Sequence, residues 1–190
     1  QQAENTGISE TLCSYHKTFI GAAQKKVLPK PKCIVYTNLT CDANLLTFKK
    51  LAKMYEVPIY AIDVPMQQNE DNVQYVSDQL RKLKEFIEEC TGKKITDEAL
   101  TERLRRSKRT LEKFAQYEKE SADKYVPADL VTPLYVGMTN NLLLGTKEEE
   151  DYVDRLLKDV KNAPAKKGKK IYWMHTIPFW SDAVKNELCF

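Results

Sequence analysis

The sequence predicts an α/β protein with a parallel, Rossmann-like sheet and long amphipathic helices. Two short runs rich in β-branched and aromatic residues, Cys33–Asn38 and Val57–Val64, are typical of buried strands. Between them, Leu45, Phe48 and Ala52 recur at helical spacing. A strand, a helix and a second strand of this combined length form a βαβ unit, whose right-handed crossover makes the two strands parallel.

The composition is that of an ordinary globular protein. Of 190 residues, 42% are hydrophobic and 30% charged, which is enough to bury a core. The net charge of +3 is too small to indicate nucleic acid or a membrane as a partner. The chain has no apolar stretch of about 18 residues and no signal-peptide pattern at its start. We therefore expect a cytoplasmic protein with no nucleic-acid or membrane partner.

A helix is expected to precede the first strand. Ser9 is a suitable N-cap for a helix that continues through Phe19 and ends before Pro29. Cys13 and His16 would then lie in the first turns of this helix.

Two long amphipathic helices follow the βαβ unit. The first ends at Gly92 and the second begins near Thr96. Their apolar seams consist of Val73, Leu80 and Ile87 in the first helix and of Leu104 and Leu111 in the second. We expect the two helices to pack as an antiparallel pair along these seams.

The C-terminal third of the chain predicts a further helix and strand. Thr146 and Glu149 fit the capping box, in which the hydroxyl and the carboxylate each accept from an N–H at the start of a helix. Lys166–Lys170 is a basic loop, and Ile171–His175 is typical of a third buried strand.

The predicted organisation has three parts. Residues 1–66 form the first βαβ unit of an α/β domain, residues 67–165 a helical segment, and residues 166–190 the start of a second α/β unit. The chain begins at Gln1 without a methionine and ends as a helix starts. We expect it to be a piece of a longer polypeptide.

The cysteines are the candidate reactive residues. There are five, widely spread and without a C-x-x-C pair, which argues against a disulfide framework and a zinc module. Cys41 follows the first strand directly, at the start of a helix, where a crevice borders the sheet and the helix end favours a thiolate. A small buried hydrophobe is the alternative interpretation of Cys41. Cys33 and Cys90 are expected to point into apolar packing.

Cys13 and Cys41 could lie at one end of the sheet. One precedes the first strand in the chain and the other follows it, so the fold can bring the two thiolates together. Iron–sulfur clusters are held by cysteine thiolates, commonly four. The spacing of two cysteines alone does not decide between a cluster and ordinary packing.

Five segments resemble, in order and spacing, the 2-hydroxyacyl-CoA dehydratase family, which includes the D-component subunits and the related benzoyl-CoA reductase subunits. The segments are Cys13–Gly21, Leu28–Pro31, Ile34–Asn38, Cys41–Asp42 and Val57–Asp63. The resemblance is clearest over residues 9–66. It implies a two-domain α/β subunit of about twice this length.

The resemblance also implies a cofactor. Such subunits hold a [4Fe-4S] cluster between their domains through three cysteines, and Cys13 and Cys41 match two of these positions. The third ligand would lie beyond Phe190, with Cys189 as a less favoured substitute.

The implied reaction is that of a lyase in anaerobic amino-acid fermentation. An ATP-dependent activator protein delivers one electron, the cluster passes it to the thioester carbonyl of a 2-hydroxyacyl-CoA, and the resulting ketyl radical anion expels the hydroxyl group. The overall change is a radical elimination of water to an enoyl-CoA, which consumes no net electron. A paralogous subunit is the implied partner in a heterodimer. The alternatives are a benzoyl-CoA type reductase subunit, or a non-catalytic or electron-transfer subunit of the same fold.

Three further residues are candidates for substrate binding. His16 lies one turn after Cys13, Asn38 ends the first strand, and His175 ends the third. Each can equally serve packing or the surface. The Lys166–Lys170 loop could contact CoA phosphates, because ammonium groups pair with phosphate, or form a solvated linker.

Overall fold

The structure is a computed structural model that describes residues 2–39, 41–125, 141–166 and 181–183. The chain divides into two compact units, 1–95 and 96–190. In the described ranges, none of the helices combines the length and apolar character that a membrane span requires. The division into 1–66, 67–165 and 166–190 stays a prediction, and Ile171–His175 lies outside the described residues.

The first unit alternates helices and strands. After a short 3-10 turn, its elements are α1 (Ser14–Gln24), β1 (Ile34–Thr37), α2 (Ala43–Tyr55), β2 (Ile59–Ile62) and α3 (Glu70–Thr91). The predicted start of α1 is wrong, because Ser9 accepts from Thr11 N at 3.3 Å in a separate turn and Cys13 is the N-cap residue.

The two strands form the predicted parallel pair. Ile34 is aligned with Ile59 and Thr37 with Ile62. This pairing, with α2 between the strands, confirms the βαβ unit and the α/β class. Two described strands do not define a Rossmann-like sheet, so that part of the expectation stays a prediction.

The core of the first unit lies between α1, α2 and β1. Ile20 and Ala23 of α1 are buried with Leu51 of α2 and Ile34 of β1. On the same side, the ring of Phe48 stacks on Tyr36 with 5.8 Å between centroids. The helical spacing that begins at Leu45 therefore has its buried side at positions 47, 48, 51 and 52, whereas Leu45 itself is 46% exposed.

Helix α3 packs on β2. Tyr60 donates to the carbonyl of Gln79 at 2.8 Å, and its ring lies 5.4 Å from that of Phe86. The predicted end is confirmed, since Gly92 adopts the left-handed conformation with φ of 70°. The elements of the first unit leave the α3 seam open, with Val73 67% and Leu80 50% exposed. The predicted packing of this seam on α4, in the other unit, stays a prediction.

The second unit contains α4 (Asp97–Ser121) and α5 (Lys147–Asn162), which pack on each other. The partner of α4 in its unit is thus α5, whereas α3 packs on β2 in the other unit. Gly145, just before α5, approaches α4 closely. A Cβ atom there would lie 2.8 Å from Ser107 Oγ, and φ of 86° is itself unfavourable for other residues.

Ion pairs connect the two helices of the second unit. Arg109 and Lys113 of α4 pair with Glu150 at 3.2 and 3.4 Å, and Lys113 also reaches Asp154 at 2.8 Å. The arginine and lysine hydrogen bonds lower the pKa of Glu150. Basic side chains of α4 therefore contact α5.

Only one of the two hydrogen bonds of the predicted capping box at α5 is present. The Thr146 hydroxyl accepts from Glu149 N at 3.2 Å, as expected. Thr146 N instead donates to Leu143 O at 2.9 Å. The Glu149 carboxylate is fully buried on the face of Val153 and Leu157, without a hydrogen-bond partner among the described residues.

Replacing Leu51 tests the core of the first unit. Leu51 is 2% exposed, so Leu51→Ala should lower the free energy of unfolding by about 2–5 kcal/mol through lost contacts and a cavity. Leu45→Ala, in the same helix but 46% exposed, is the control and should cost far less. Denaturant titration measures both, and equal losses would contradict the assigned core.

The buried Glu149 predicts a pH-dependent stability. Burial raises the pKa of its carboxyl, so the folded chain holds this proton more tightly than the unfolded chain. The protonated carboxyl therefore contributes to the stability of the folded chain at acid pH. This contribution is complete below the pKa of Glu in the unfolded chain, about 4.3, and is lost as the pH rises through the higher pKa of the folded chain. Glu149→Gln should therefore be more stable than the parent at pH 7, and the difference should shrink toward pH 4.

The exposed neighbour Glu148 provides the control for this test. Glu148→Gln removes a charge from the same turn without relieving a buried one, and it should bring no gain at pH 7. Urea unfolding at several pH values measures the effect. A Glu149→Gln difference that does not change with pH would argue against a buried charged carboxylate.

Candidate functional site

Cys41 lies where the first strand leads into α2. Asn44 at the start of α2 donates its backbone N–H to Cys41 O at 3.1 Å and its amide to Thr37 O at 3.3 Å. These bonds join the end of β1 to the first turn of α2. The predicted position of Cys41 at a strand–helix junction is confirmed, and its thiol is half-buried there.

Cys13 is the N-cap residue of α1 and is exposed. Its side chain makes no hydrogen bond to the N–H groups of the first turn of α1, so the thiol is not used in capping the helix. Each of the two candidate ligands therefore lies at the N-terminus of a helix, where the first N–H groups lack helical partners and carry a partial positive charge.

His16 connects α1 to α2 at these N-termini. The ring is 7% exposed. Its Nε2 atom lies 3.7 Å from Cys41 Sγ, and its Nδ1 atom lies 2.9 Å from Thr47 Oγ1. The structure thus brings a predicted substrate-binding residue, His16, to a predicted metal ligand, Cys41.

Asn38 is used to join the two strands. Its amide nitrogen donates to an Asp63 carboxylate oxygen, and its amide oxygen accepts from Val64 N at 2.9 Å. Tyr75 donates to the other Asp63 oxygen at 3.0 Å, and this hydrogen bond raises the pKa of Tyr75. Gln79 brackets the Asp63 backbone, accepting from N and donating to O at 2.8 Å each.

We call Asn38, Asp63, Tyr75 and Gln79 the strand-end network. It lies at the carboxyl ends of β1 and β2, the edge at which ligands bind in open α/β sheets. Both polar atoms of the Asn38 amide already have protein partners. The network therefore orders this edge of the sheet.

Two further cysteines of the described residues, Cys33 and Cys90, lie next to each other. Cys33 and Cys90 are both half-buried, and Cys33 lines a mostly apolar cavity of about 360 Å³ with Phe19 and Phe48. Burial, followed by the neighbouring Cys33 thiol, raises the pKa of Cys90. The apolar surroundings of Cys33 agree with the expectation for that residue, and apolar packing of Cys90 stays a prediction.

The donor atoms at the helix N-termini fit only part of an iron–sulfur site. Cys13 and Cys41 supply thiols, the ligand type that such clusters take. In the described part of the chain, no group of three or more His, Cys, Asp or Glu side chains is placed to hold a metal ion. His175 and Cys189 lie outside the described residues, as does most of the Lys166–Lys170 loop.

Sequence reasoning missed Thr47, Asp63 and Tyr75. The available signal for Thr47 was a polar residue beside Phe48 and Leu51 on the buried face of α2. Asp63 directly follows the apolar run of β2, a position at which polar residues often serve a site. Nothing in the sequence indicated a role for Tyr75, because its contact with Asp63 depends on how α3 packs on β2.

Comparison with known proteins identifies the family. A family model described as 2-hydroxyglutaryl-CoA dehydratase, D-component, matches residues 1–186. The chain belongs to this family. The family match extends well beyond residues 9–66, where the sequence resemblance is clearest, and it confirms that resemblance.

Two curated relatives are similar to this chain. The (R)-phenyllactyl-CoA dehydratase alpha subunit of Clostridium sporogenes is 24% identical over 184 residues, covering 90% of this chain and 44% of the relative. The (R)-2-hydroxyglutaryl-CoA dehydratase subunit alpha of Acidaminococcus fermentans is 28% identical over 91 residues, which cover 46% of this chain and 19% of the relative. The chain thus spans less than half the length of these relatives.

Thiol reactivity tests the placement of the cysteines. Cys13 is exposed, whereas the pKa of Cys90 is raised by burial and by Cys33. Since the thiolate is the nucleophile, iodoacetamide at pH 8 should alkylate Cys13 much faster than Cys90 in the folded protein. Mass spectrometry of the peptides measures the rates, and denaturant should remove the difference. Equal rates in the folded protein would contradict the packing of Cys90.

Proposed function

We propose that this chain is part of an iron–sulfur 2-hydroxyacyl-CoA dehydratase subunit, a lyase that eliminates water from a 2-hydroxyacyl-CoA to give an enoyl-CoA. The observation that carries the proposal is the family match over residues 1–186. Both curated relatives are named as dehydratases, which favours this reaction over that of a benzoyl-CoA type reductase.

Cys13 and Cys41 are the proposed ligands of a [4Fe-4S] cluster in this subunit. Their support is the thiol chemistry of the donors, their position at the N-termini of α1 and α2, and the link between these helices through His16. The ligand set is completed by residues outside the described ranges. When bound, the cluster supplies the one-electron chemistry that removal of an unactivated hydroxyl group needs.

The protein residues hold and orient this site. Helix α1 begins directly after Cys13 and helix α2 two residues after Cys41, and their packing fixes the backbone at these positions. His16 contacts Cys41 Sγ. The strand-end network orders the neighbouring edge of the sheet, where the acyl-CoA is proposed to bind. No catalytic base is assigned among the described residues.

The partners follow from the family. Both relatives are named alpha subunits, which supports a paralogous second subunit and hence a heterodimer. The proposed electron donor is an ATP-dependent activator protein, and the proposed location is the cytoplasm. A subunit of the same fold that only transfers electrons or supports its partner is distinguished from the dehydratase by measuring enoyl-CoA formation.

Removing single cysteines from the complete protein tests the proposed cluster. After anaerobic reconstitution with iron and sulfide, the parent should show the broad absorption toward the blue end of the visible spectrum that a thiolate-bound cluster gives. We expect Cys13→Ala and Cys41→Ala to lose this absorption together with dehydration of 2-hydroxyacyl-CoA. Cys90→Ala is the control and should retain both.

Two outcomes would contradict the proposal. Retention of the cluster in Cys13→Ala or Cys41→Ala would remove that cysteine from the ligand set. A reconstituted protein that receives electrons from its activator but forms no enoyl-CoA from any 2-hydroxyacyl-CoA would reduce the function to electron transfer.

A further inference from the structure

The hydroxyl group of Thr47 is deeply buried beside a histidine. The residue is 1% exposed, and its Oγ1 atom lies 2.9 Å from His16 Nδ1. On the other side of the same ring, Nε2 lies 3.7 Å from Cys41 Sγ. A row of three side chains, Thr47, His16 and Cys41, therefore runs from the interior of the first unit to its half-buried thiol.

Within the described ranges, the Thr47 hydroxyl hydrogen has one suitable acceptor. Helical Ser and Thr residues often donate to the carbonyl one turn earlier, as Thr91 does to Ile87 O at 2.7 Å and Ser107 to Arg103 O at 2.9 Å. Among the described residues, the hydrogen bond of the Thr47 side chain is instead with His16. A buried hydroxyl hydrogen requires an acceptor, and the Nδ1 lone pair supplies it.

This direction fixes the position of the imidazole proton. A neutral imidazole carries one N–H, and the other nitrogen accepts. With Nδ1 accepting from Thr47, the proton is on Nε2, which faces Cys41 Sγ. An imidazolium ring, or a ring with its proton on Nδ1, would leave the Thr47 hydrogen without an acceptor. A deprotonated or metal-bound Cys41 sulfur only accepts, so it suits the Nε2–H donor.

We propose that Thr47 is a positioning residue that donates to His16 Nδ1 and thereby holds His16 as an Nε2–H donor to the sulfur of Cys41. The inference for the cluster rests on the proposed role of Cys41 as a ligand. Hydrogen bonds to the sulfur atoms of an iron–sulfur cluster are among the factors that set its reduction potential, because they stabilise the extra negative charge of the reduced state. Thr47 would act on that potential through His16, without contacting the cluster.

The variants for the test differ by single groups. Thr47→Val keeps the shape of the side chain and removes the hydroxyl, and Thr47→Ser keeps the hydroxyl. Thr110→Val is the matched control: Thr110 is also a fully buried helical threonine, but its Oγ1 atom has no hydrogen-bond partner among the described residues. All variants are made in the complete protein, and thermal unfolding confirms that they fold.

The first readout is the reduction potential of the reconstituted cluster, measured by anaerobic redox titration. With the cluster content unchanged, Thr47→Val should shift the potential to lower values, while Thr47→Ser and Thr110→Val should remain near the parent. A parental potential in Thr47→Val, or an equal shift in Thr110→Val, would overturn the proposal.

The second readout does not need a cluster. In the metal-free parent labelled with 15N-histidine, two-bond 1H–15N correlation spectra distinguish the ring tautomers. The His16 signals, assigned by their loss in His16→Gln, should show the Nε2–H form. An Nδ1–H or imidazolium pattern would overturn the proposal. If Cys41→Ala retained its cluster, the proposed ligand would fail separately, and the His16 tautomer would still test the role of Thr47.

Discussion

The packing of α1 on α2 is the contact on which the arrangement of the candidate site depends. Ile20 and Leu51 are buried in the same core, and the backbones of both helices are thereby fixed relative to β1. Since Cys13 caps α1 and Cys41 directly precedes the first turn of α2, this packing also places the two thiols. The apolar packing of α1 on α2 thus fixes the helix ends next to the two proposed ligands.

Polar side chains order the edge of the sheet next to this site. The strand-end network joins β1, β2 and α3 through side-chain hydrogen bonds just beyond the last paired residues of the strands. These hydrogen bonds lie at an exposed edge of the sheet, where water competes for the same groups, so the network is a modest but directional constraint. It explains why Asn38, a candidate for substrate binding from its position alone, has its amide atoms occupied by Asp63 and Val64.

The second unit combines well-paired charges with polar groups that lack partners. Glu150 accepts from Arg109 and Lys113, but these partly exposed ion pairs are screened by solvent and add little stability. Glu149, one residue earlier, and Thr110 are fully buried without hydrogen-bond partners among the described residues. Such groups oppose folding, so the apolar contacts of Val153, Leu157 and Val160 must stabilise the α4–α5 pair.

The sequence by itself determined the features that depend on neighbouring residues. β-branched runs, helical spacing and capping residues predicted the parallel βαβ unit, the junction position of Cys41 and the end of α3 at Gly92, because these follow from local backbone preferences and chain length. Family motifs added the cysteines as candidate ligands.

The tertiary structure decided what depends on residues far apart in the chain: α4 packs on α5, the Glu149 carboxylate is buried and does not complete the capping box, and Thr47 contacts His16 across 31 residues. These contacts arise from how helices pack, and helical periodicity gives the buried face of a helix without giving its partner.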